Sequence, residues 1–469
     1  MWHIAKRELY DNLNSLRFAL AIVLLIGLML TNAVVHLHEH PKRIQAYNDG
    51  VTEYQNHLMA SADESLYRLA QKGPGDLYKK PSALRFCAEG SETDLPRQAI
   101  GGTFRWSTDR LESAWILAYP PVDTSLGNLR PDVTLVDWSF IIGYVLSLIA
   151  LLFTFDSISG ERERGTLRLI LANAIPRHTV LIGKFLGALI SLNIPFTLAI
   201  LMNLLVISTS SDVHLNAEAW GRLGIIFCIA LLYTCLFLAL GLLVSARVQR
   251  SAVSLVILLL VWVSLVVFMP GTLAAIAGDS ASPKATHGFY ERSWQLHNEL
   301  RDQYGSRWRQ ARGDSRKRIE VDGAYVSKDA EQQEQLQEAR LKQQISQVNR
   351  ARATTRLSPV TIFQHLFESF AGTGFERHLQ FLENVKVYAR EYREFVVDTD
   401  KADIESLHII GVREGMSEKP VSPEAVPTFE DTLNFSKDFN TAAIDLLLLA
   451  LFFLLLLSGA YLAFVRVEV

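Results

Sequence analysis

Glu161, Arg162, Glu163 and Arg164 follow one another directly in the stretch DSISGERERGTLRLILANAIPR, residues 156–177. They follow an apolar run and precede another. Acids and bases alternate here, Glu161 and Glu163 with Arg162 and Arg164. The composition predicts a helix from Ser159 up to Ala174, with Pro176 separating it from the apolar run that follows. Glu161 and Glu163 would lie in its first turn, favourable against the helix dipole, while Arg162 and Arg164 point elsewhere around it. Gly165-Thr166-Leu167 then turns abruptly apolar. A short helix charged at its tip and apolar on its flank suits insertion into a cleft of a cytoplasmic partner. A solvated turn that merely carries positive charge fits the residue types as well.

A second constellation is HLHEHPK, which sets His36, His38, Glu39 and His40 at the end of the first apolar run. Imidazoles with a carboxylate are ligands for copper or zinc. On a helix only His36 and His40 share a face, and Pro41 is expected to interrupt any continuation. No metal site is assigned, and His36, His38 and His40 are its only candidates. Other chemistry is missing. Gly183-Lys184-Phe185 has neither the upstream glycine nor the following hydroxyl of a phosphate-binding P-loop. There is no GxSxG elbow, HExxH or CxxC. The apolar runs lack the acid, base and histidine chains of a proton-driven pump. The chain reads as non-catalytic, with its energy supplied from elsewhere.

The elements that carry these residues are membrane helices. The chain has 469 residues, of which 49% are hydrophobic. Residues 18–35, 138–155, 185–211, 223–246, 251–278 and 446–465 lack Asp, Glu, Lys and Arg, each over the ~18 or more residues a spanning helix needs. The predicted fold class is an α-helical polytopic membrane protein with six transmembrane helices at 17–36, 137–155, 179–208, 222–246, 251–277 and 443–465. Lys6, Arg7 and Arg17 precede the first span, and Arg162, Arg164, Arg168 and Arg177 lie between the second and third. Arg247 and Arg250 lie between the fourth and fifth, and Arg466 follows the sixth. By the positive-inside rule both termini are cytoplasmic, so 156–178 is a cytoplasmic loop. Residues 1–16 place Trp2, Ala5, Leu9, Leu13 and Leu16 on one stripe, as an amphipathic helix along the interface does. A cleaved signal peptide is not expected, because the apolar run is long and helical sequence precedes it.

Two insertions, 37–136 and 278–442, fall on the outer side and together predict one mostly helical domain. Leu336, Leu341, Ile345 and Val348 form a narrow seam on a polar helix, and Leu382, Val385, Ala389 and Tyr392 line one face of a helix near 377–395. Residues 417–431 read as an extended, proline-rich connection to the sixth span. Trp106, Trp115, Trp294 and Trp308 are expected in core or interface, not in a ligand box. Cys87, Cys228 and Cys235 read as small apolar fillers, not as a disulfide framework. Pro195 is expected to kink the third span.

GERERGTLRLILANAIPRHTVLIGKFLGALI resembles the cytoplasmic loop of type-two, exporter-type ABC transporter permeases, with Glu161, Glu163, Gly165, Thr166, Leu167, Pro176, Arg177, Gly183 and Lys184 at the matching positions. The N-terminal amphipathic helix resembles that family's connecting helix. The large outer insertions resemble a bacterial subgroup described as multi-copper enzyme maturation permease components. The resemblance implies that the 156–178 loop is a coupling helix docking on a separate ATPase subunit. Glu161, Arg162, Glu163, Arg164, Gly165 and Thr166 would be its docking residues. It implies two permeases, the second either a copy or a paralogue, and two ATPases that bind ATP and Mg²⁺, with no cofactor on this chain. It also implies residence in a bacterial inner membrane, among lipid, and contact with a periplasmic or envelope protein, but not with nucleic acid. Export or translocation of a substrate is the implied function. The alternative is a mechanical or signalling subunit that moves its outer domain against an envelope partner. Span five offers mainly Ser251, Ser254 and Ser264 as polar groups, which favours lipidic or hydrophobic cargo, or mechanical work, over ions or sugars.

Overall fold

A computed structural model of the chain describes residues 2–90, 95–102, 114–120, 136–172, 176–210, 213, 215–278, 284–433 and 435–466. Among these residues six helices are long and apolar enough to cross a membrane: Leu16–Glu64, Trp138–Glu163, Arg177–Ile207, Ala217–Arg247, Ser251–Ile276 and Ala442–Val465. The chain is an α-helical polytopic membrane protein carrying an additional, mostly helical domain.

Helix α1 (Trp2–Leu13) precedes α2 (Leu16–Glu64), whose first turn is capped by the Ser15 hydroxyl accepting from the Phe18 amide. Pro41 was expected to stop this helix and does not. Proline removes one backbone donor and costs ~3 kcal/mol in a helix interior. The half beyond it buries Tyr54, Leu58 and Ala62, and large apolar side chains return about 1.5–3 kcal/mol each on burial. The 49 residues of α2 extend over roughly 75 Å, so a single rod joins the first span to the insertion domain.

The first insertion adds α3 (Leu66–Lys72) and an antiparallel sheet of β1 (Gly75–Tyr78), β2 (Gln98–Gly102) and β3 (Ile116–Ala118) in that order. Gly75 pairs with Gly101, and Gly101 with Leu117. The second span comprises α4 (Trp138–Phe140), a π-helical turn (Ile141–Leu146) and α5 (Ser147–Thr154). Two short helices follow, α6 (Ser159–Glu163) and α7 (Thr166–Ala172). Next come α8 (Arg177–Ile207), which contains a buried Pro195, and α9 (Ala217–Arg247). The fifth span is α10 (Ser251–Trp262), a second π-helical turn (Val263–Phe268) and α11 (Met269–Gly278). The second insertion holds α12 (Lys284–Gln310), α13 (Ser315–Thr355), α14 (Pro359–Ala371) and α15 (Phe375–Lys401) before α16 (Phe435–Val465).

Both insertions build one core. Leu382, Val385, Ala389 and Tyr392 of α15 pack with Tyr54, Leu58, Leu77, Ala99 and Leu341. Trp115 meets Tyr392 edge-on at 5.5 Å. Trp308 packs on Tyr325 in the α12–α13 hairpin, whereas Trp294 is exposed. Trp106 lies outside the described residues. The connection after α15 carries two short 3-10 turns, Arg413–Gly415 and Pro423–Ala425, and the proline-rich stretch 417–431 is otherwise largely extended.

Helix α14 was not anticipated from the sequence. Pro359 occupies its first turn and Gly372 closes it at φ 67, the left-handed backbone that favours glycine. It buries Val360, Phe363, Phe367 and Phe370 in the core of the membrane bundle, with Phe363 stacked on Tyr233 at 4.2 Å. It packs against α9, α16 and both π-helical turns, the kind of helix irregularity that recurs at functional sites.

Two carboxyl groups sit where this helix meets the second span. Burial pushes Asp137 up to about 7 despite the Glu89 and Phe140 amides that bond to it. Burial also pushes Glu368 up to about 7, Arg352 opposing and Asp137 reinforcing the shift. Such groups bind their proton more tightly in the folded state. Their stabilisation is complete below pH ~4 and is lost as pH rises through ~7. Glu368→Gln should therefore flatten the fall of the thermal midpoint between about pH 5 and pH 8. An unchanged slope in detergent-solubilised protein would place the Glu368 carboxyl in solvent.

Candidate functional site

The loop between the second and third spans starts from the end of α5 and is fixed first by span four. The Ser245 hydroxyl accepts from the Ile158 and Ser159 amides at 3.0 Å each. It thereby takes up donors that the start of a helix leaves without partners. Ser245→Ala should destabilise the fold by about 1–3 kcal/mol, because two enclosed amides lose their acceptor. Thermal unfolding of the purified protein reads that loss, and an unchanged midpoint would show that water replaces the hydroxyl.

The single helix expected from Ser159 to Ala174 is broken. Arg164 ends α6, Gly165 takes φ +73, and α7 starts at Thr166. Ala174 lies outside the described residues. A left-handed backbone at Gly165 lets the chain turn without the penalty a side chain would bring, and Leu167 is thereby buried.

The charged quartet does not project as one surface. Glu161 turns inward to the Lys184 ammonium at 2.8 Å, and Glu8 of α1 approaches the same ammonium at 2.6 Å. The Lys184 side chain is 1% exposed, and its charge is met by carboxylates from two different elements. Gly187, one turn further along α8, leaves no room for a side chain: a Cβ there would lie 2.6 Å from that of Glu8. Helix α1 therefore rests directly on α8, and Lys184 joins it to the loop.

Glu163 accepts from both the amide and the hydroxyl of Ser251, capping α10. Arg162 donates to the Val248 carbonyl in the turn between α9 and α10. Arg164 folds back on the Gly160 carbonyl. Asp156 forms a two-pronged pair with Arg17 of α2, whose guanidinium also lies over the Phe155 ring. Arg177, at the far end, donates to the Phe464 and Val465 carbonyls that close α16. Thus the loop is bonded to α2, α8, α9, α10 and α16, and reaches α1 only through Lys184. Its outward face carries Arg164, Gly165, Thr166, Arg168 and Leu169, all exposed.

The histidines separate. His36 and His40 stack at 4.8 Å, and His36 also meets the Phe86 ring edge-on. His38 lies elsewhere, 2.8 Å from the Lys42 ammonium. Among the described residues no three His, Cys, Asp or Glu side chains converge as metal ligands.

The profile of the ABC-2 family transporter proteins matches residues 2–468, nearly the whole chain. The chain belongs to the ABC-2 family. It is also 31% identical over 132 residues to the probable ABC transporter permease protein NosY of Pseudomonas aeruginosa, a match covering 27% of this chain and 46% of that protein. With the Stutzerimonas stutzeri protein of the same name it shares 36% identity over 74 residues, 16% of this chain and 26% of that one. The matched segments thus span less than half of either relative. Within this ABC-2 chain, Glu8, Arg17, Ser245 and Ser251 hold the loop but were not picked out as site residues. They lie far from it in sequence, and no spacing rule links them. Lys184 could have been suspected from one signal: a lysine about two turns inside an otherwise apolar helix requires a counter-charge.

Proposed function

We propose that this ABC-2 chain is the membrane permease subunit of an ABC transporter and that its 156–178 loop is the coupling element for a separate ATPase. The loop is bonded to every inner helix end while its tip stays exposed, and that observation carries the reading. A push on Thr166 or Leu169 passes through Lys184, Ser245, Glu163 and Arg177 to four spans at once. ATP and Mg²⁺ belong to the partner, and the chain itself performs no catalysis. The protein works in a bacterial cytoplasmic membrane with both termini inside, paired with a second permease, either a copy or a paralogue.

The outward residues Thr166 and Leu169 dock, together with Arg164 and Gly165, whereas Glu161 and Arg162 hold the loop in place. The double variant T166W/L169D should keep its elution profile and thermal midpoint. It should lose co-purifying ATPase subunit and stimulated ATP hydrolysis by at least roughly tenfold, the scale of one or two interface anchors. Retention of both would end the docking assignment.

A mechanical role has its own support. The rod α2 passes unbroken from the first span into the insertion domain, and α14 of that domain packs inside the bundle. ATPase strokes would then move the outer domain against an envelope partner, with hydrophobic or lipidic export as the alternative outcome of the same stroke.

A further inference from the structure

Six arginines converge on one groove beside the loop: Arg162, Arg164, Arg168, Arg247, Arg250 and Arg466. They come from the α6–α7 loop, the end of α9, the start of α10 and the end of α16. The groove encloses about 850 Å³ and has Ala246 and Ala463 in its floor. One carboxylate lines it, Glu163, and that group is engaged by the Ser251 amide and hydroxyl. Among the described residues none of the six guanidinium groups forms an ion pair. Elsewhere the chain pairs buried and half-buried arginines: Arg352, Arg356 and Arg377 each have an acidic partner.

We propose that this groove binds the phosphate of an anionic phospholipid, with the acyl chains running up α10 and α16. Orientation rules require basic residues in these turns but not their convergence on one concavity. The groove also lies at the ends of three spans, the level at which headgroups meet helix termini. Guanidinium forks match phosphate oxygens in pairs, and basic pockets between spans are suited to phosphorylated headgroups. Farther along the same two helices, apolar side chains are exposed: Val253, Val256 and Leu260 on α10, and Leu455, Tyr461 and Leu462 on α16. A soluble phosphate or nucleotide would leave those faces unused, whereas a lipid covers groove and faces together. The proposal needs the membrane and not the ATPase, so it stands or falls separately from the docking assignment.

The test is delipidated full-length protein titrated with phosphatidylglycerol, cardiolipin, phosphatidylcholine and inorganic phosphate, with bound adducts counted by native mass spectrometry. Wild-type protein should retain the two anionic lipids and not phosphatidylcholine or phosphate. R247Q/R250Q/R466Q should bind the anionic lipids roughly 10- to 100-fold more weakly. R309Q/R312Q/R318Q, in the insertion domain, should bind like wild type. Equal binding of phosphatidylcholine, displacement of lipid by inorganic phosphate, or full retention by the groove variant would each overturn the proposal. So would a groove variant that keeps its lipids but loses the ATPase subunit, since the arginines would then be a protein-docking surface. The wild-type titration decides the first two points even if the groove variant does not fold.

Discussion

Lys184→Met is expected to lower the thermal midpoint sharply and to abolish stimulation of the partner ATPase. The substitution leaves Glu8 and Glu161 facing each other without the ammonium that lies 2.6 and 2.8 Å from them. Removing one member of a buried ion cluster costs about 3–5 kcal/mol, because the remaining charges stay enclosed without a partner. That is a large share of the ~5–15 kcal/mol that holds a typical domain folded. The structural consequence is local. Helix α1 loses its tie to the loop, and α6 loses its inward anchor. A triple variant, E8Q/E161Q/K184M, separates stability from positioning. It removes every charge in the cluster, so its midpoint should return close to that of wild type. ATPase stimulation should stay low, because the hydrogen-bonded pins between α1, α8 and α6 are still missing. If Lys184→Met left both midpoint and stimulation unchanged, the ammonium would not be holding the loop. If the triple variant restored stimulation as well as stability, the cluster would be a folding feature alone.

Asp431→Ala should produce the opposite division of effects. Asp431 is the buried partner of Arg377 and also accepts from the Lys80 amide and the Asn384 side chain. One carboxylate thus joins the extended connection before α16, helix α15 and the first insertion. Its removal strands a guanidinium that is 2% exposed, again a loss of about 3–5 kcal/mol. The damage falls in the insertion domain, remote from the loop. Hydrogen exchange should rise in residues 417–433 and at the start of α15, while exchange in α6 and α8 stays at the wild-type level. Binding of the ATPase subunit should persist. Faster exchange spreading into α8 would show that the two ends of the molecule are a single cooperative unit. Any movement passed on through the insertion domain should nevertheless fail, because Asp431 ties that domain to the element leading into span six.

How much of this was legible in the sequence differs by element. The six spans were readable because a lipid-crossing helix must be long and uncharged, a constraint that leaves a plain hydropathy signal. The faces of α13 and α15 were readable for the same kind of reason: Leu341, Val385 and Tyr392 recur at helical spacing and are buried. Helix α14 escaped because its apolar run is shorter than a bilayer span, although Ser358, Pro359 and Gly372 mark both of its ends. Pro41 misled because a proline signals a break only when the helix lacks tertiary support, and the second half of α2 is packed against the insertion domain. At the site, residue types in the loop pointed to charge-mediated docking. Those charges divide between anchoring and display: Glu161 is bonded to the buried Lys184 ammonium, whereas the exposed Glu163 caps α10. That division depends on Glu8, Lys184, Ser245 and Ser251, whose proximity is created only by the fold.

The tip of the 156–178 loop is proposed to meet an ATP-hydrolysing subunit. A photo-crosslinking residue placed at Leu169 and irradiated in native membranes tests this contact. The same group at Trp294 in the insertion domain serves as the reference. The Leu169 variant should give an adduct with a nucleotide-binding protein, identified by mass spectrometry, and the Trp294 variant none. Capture of that protein at Trp294, or its absence at Leu169 in membranes where it is expressed, would rule the contact out.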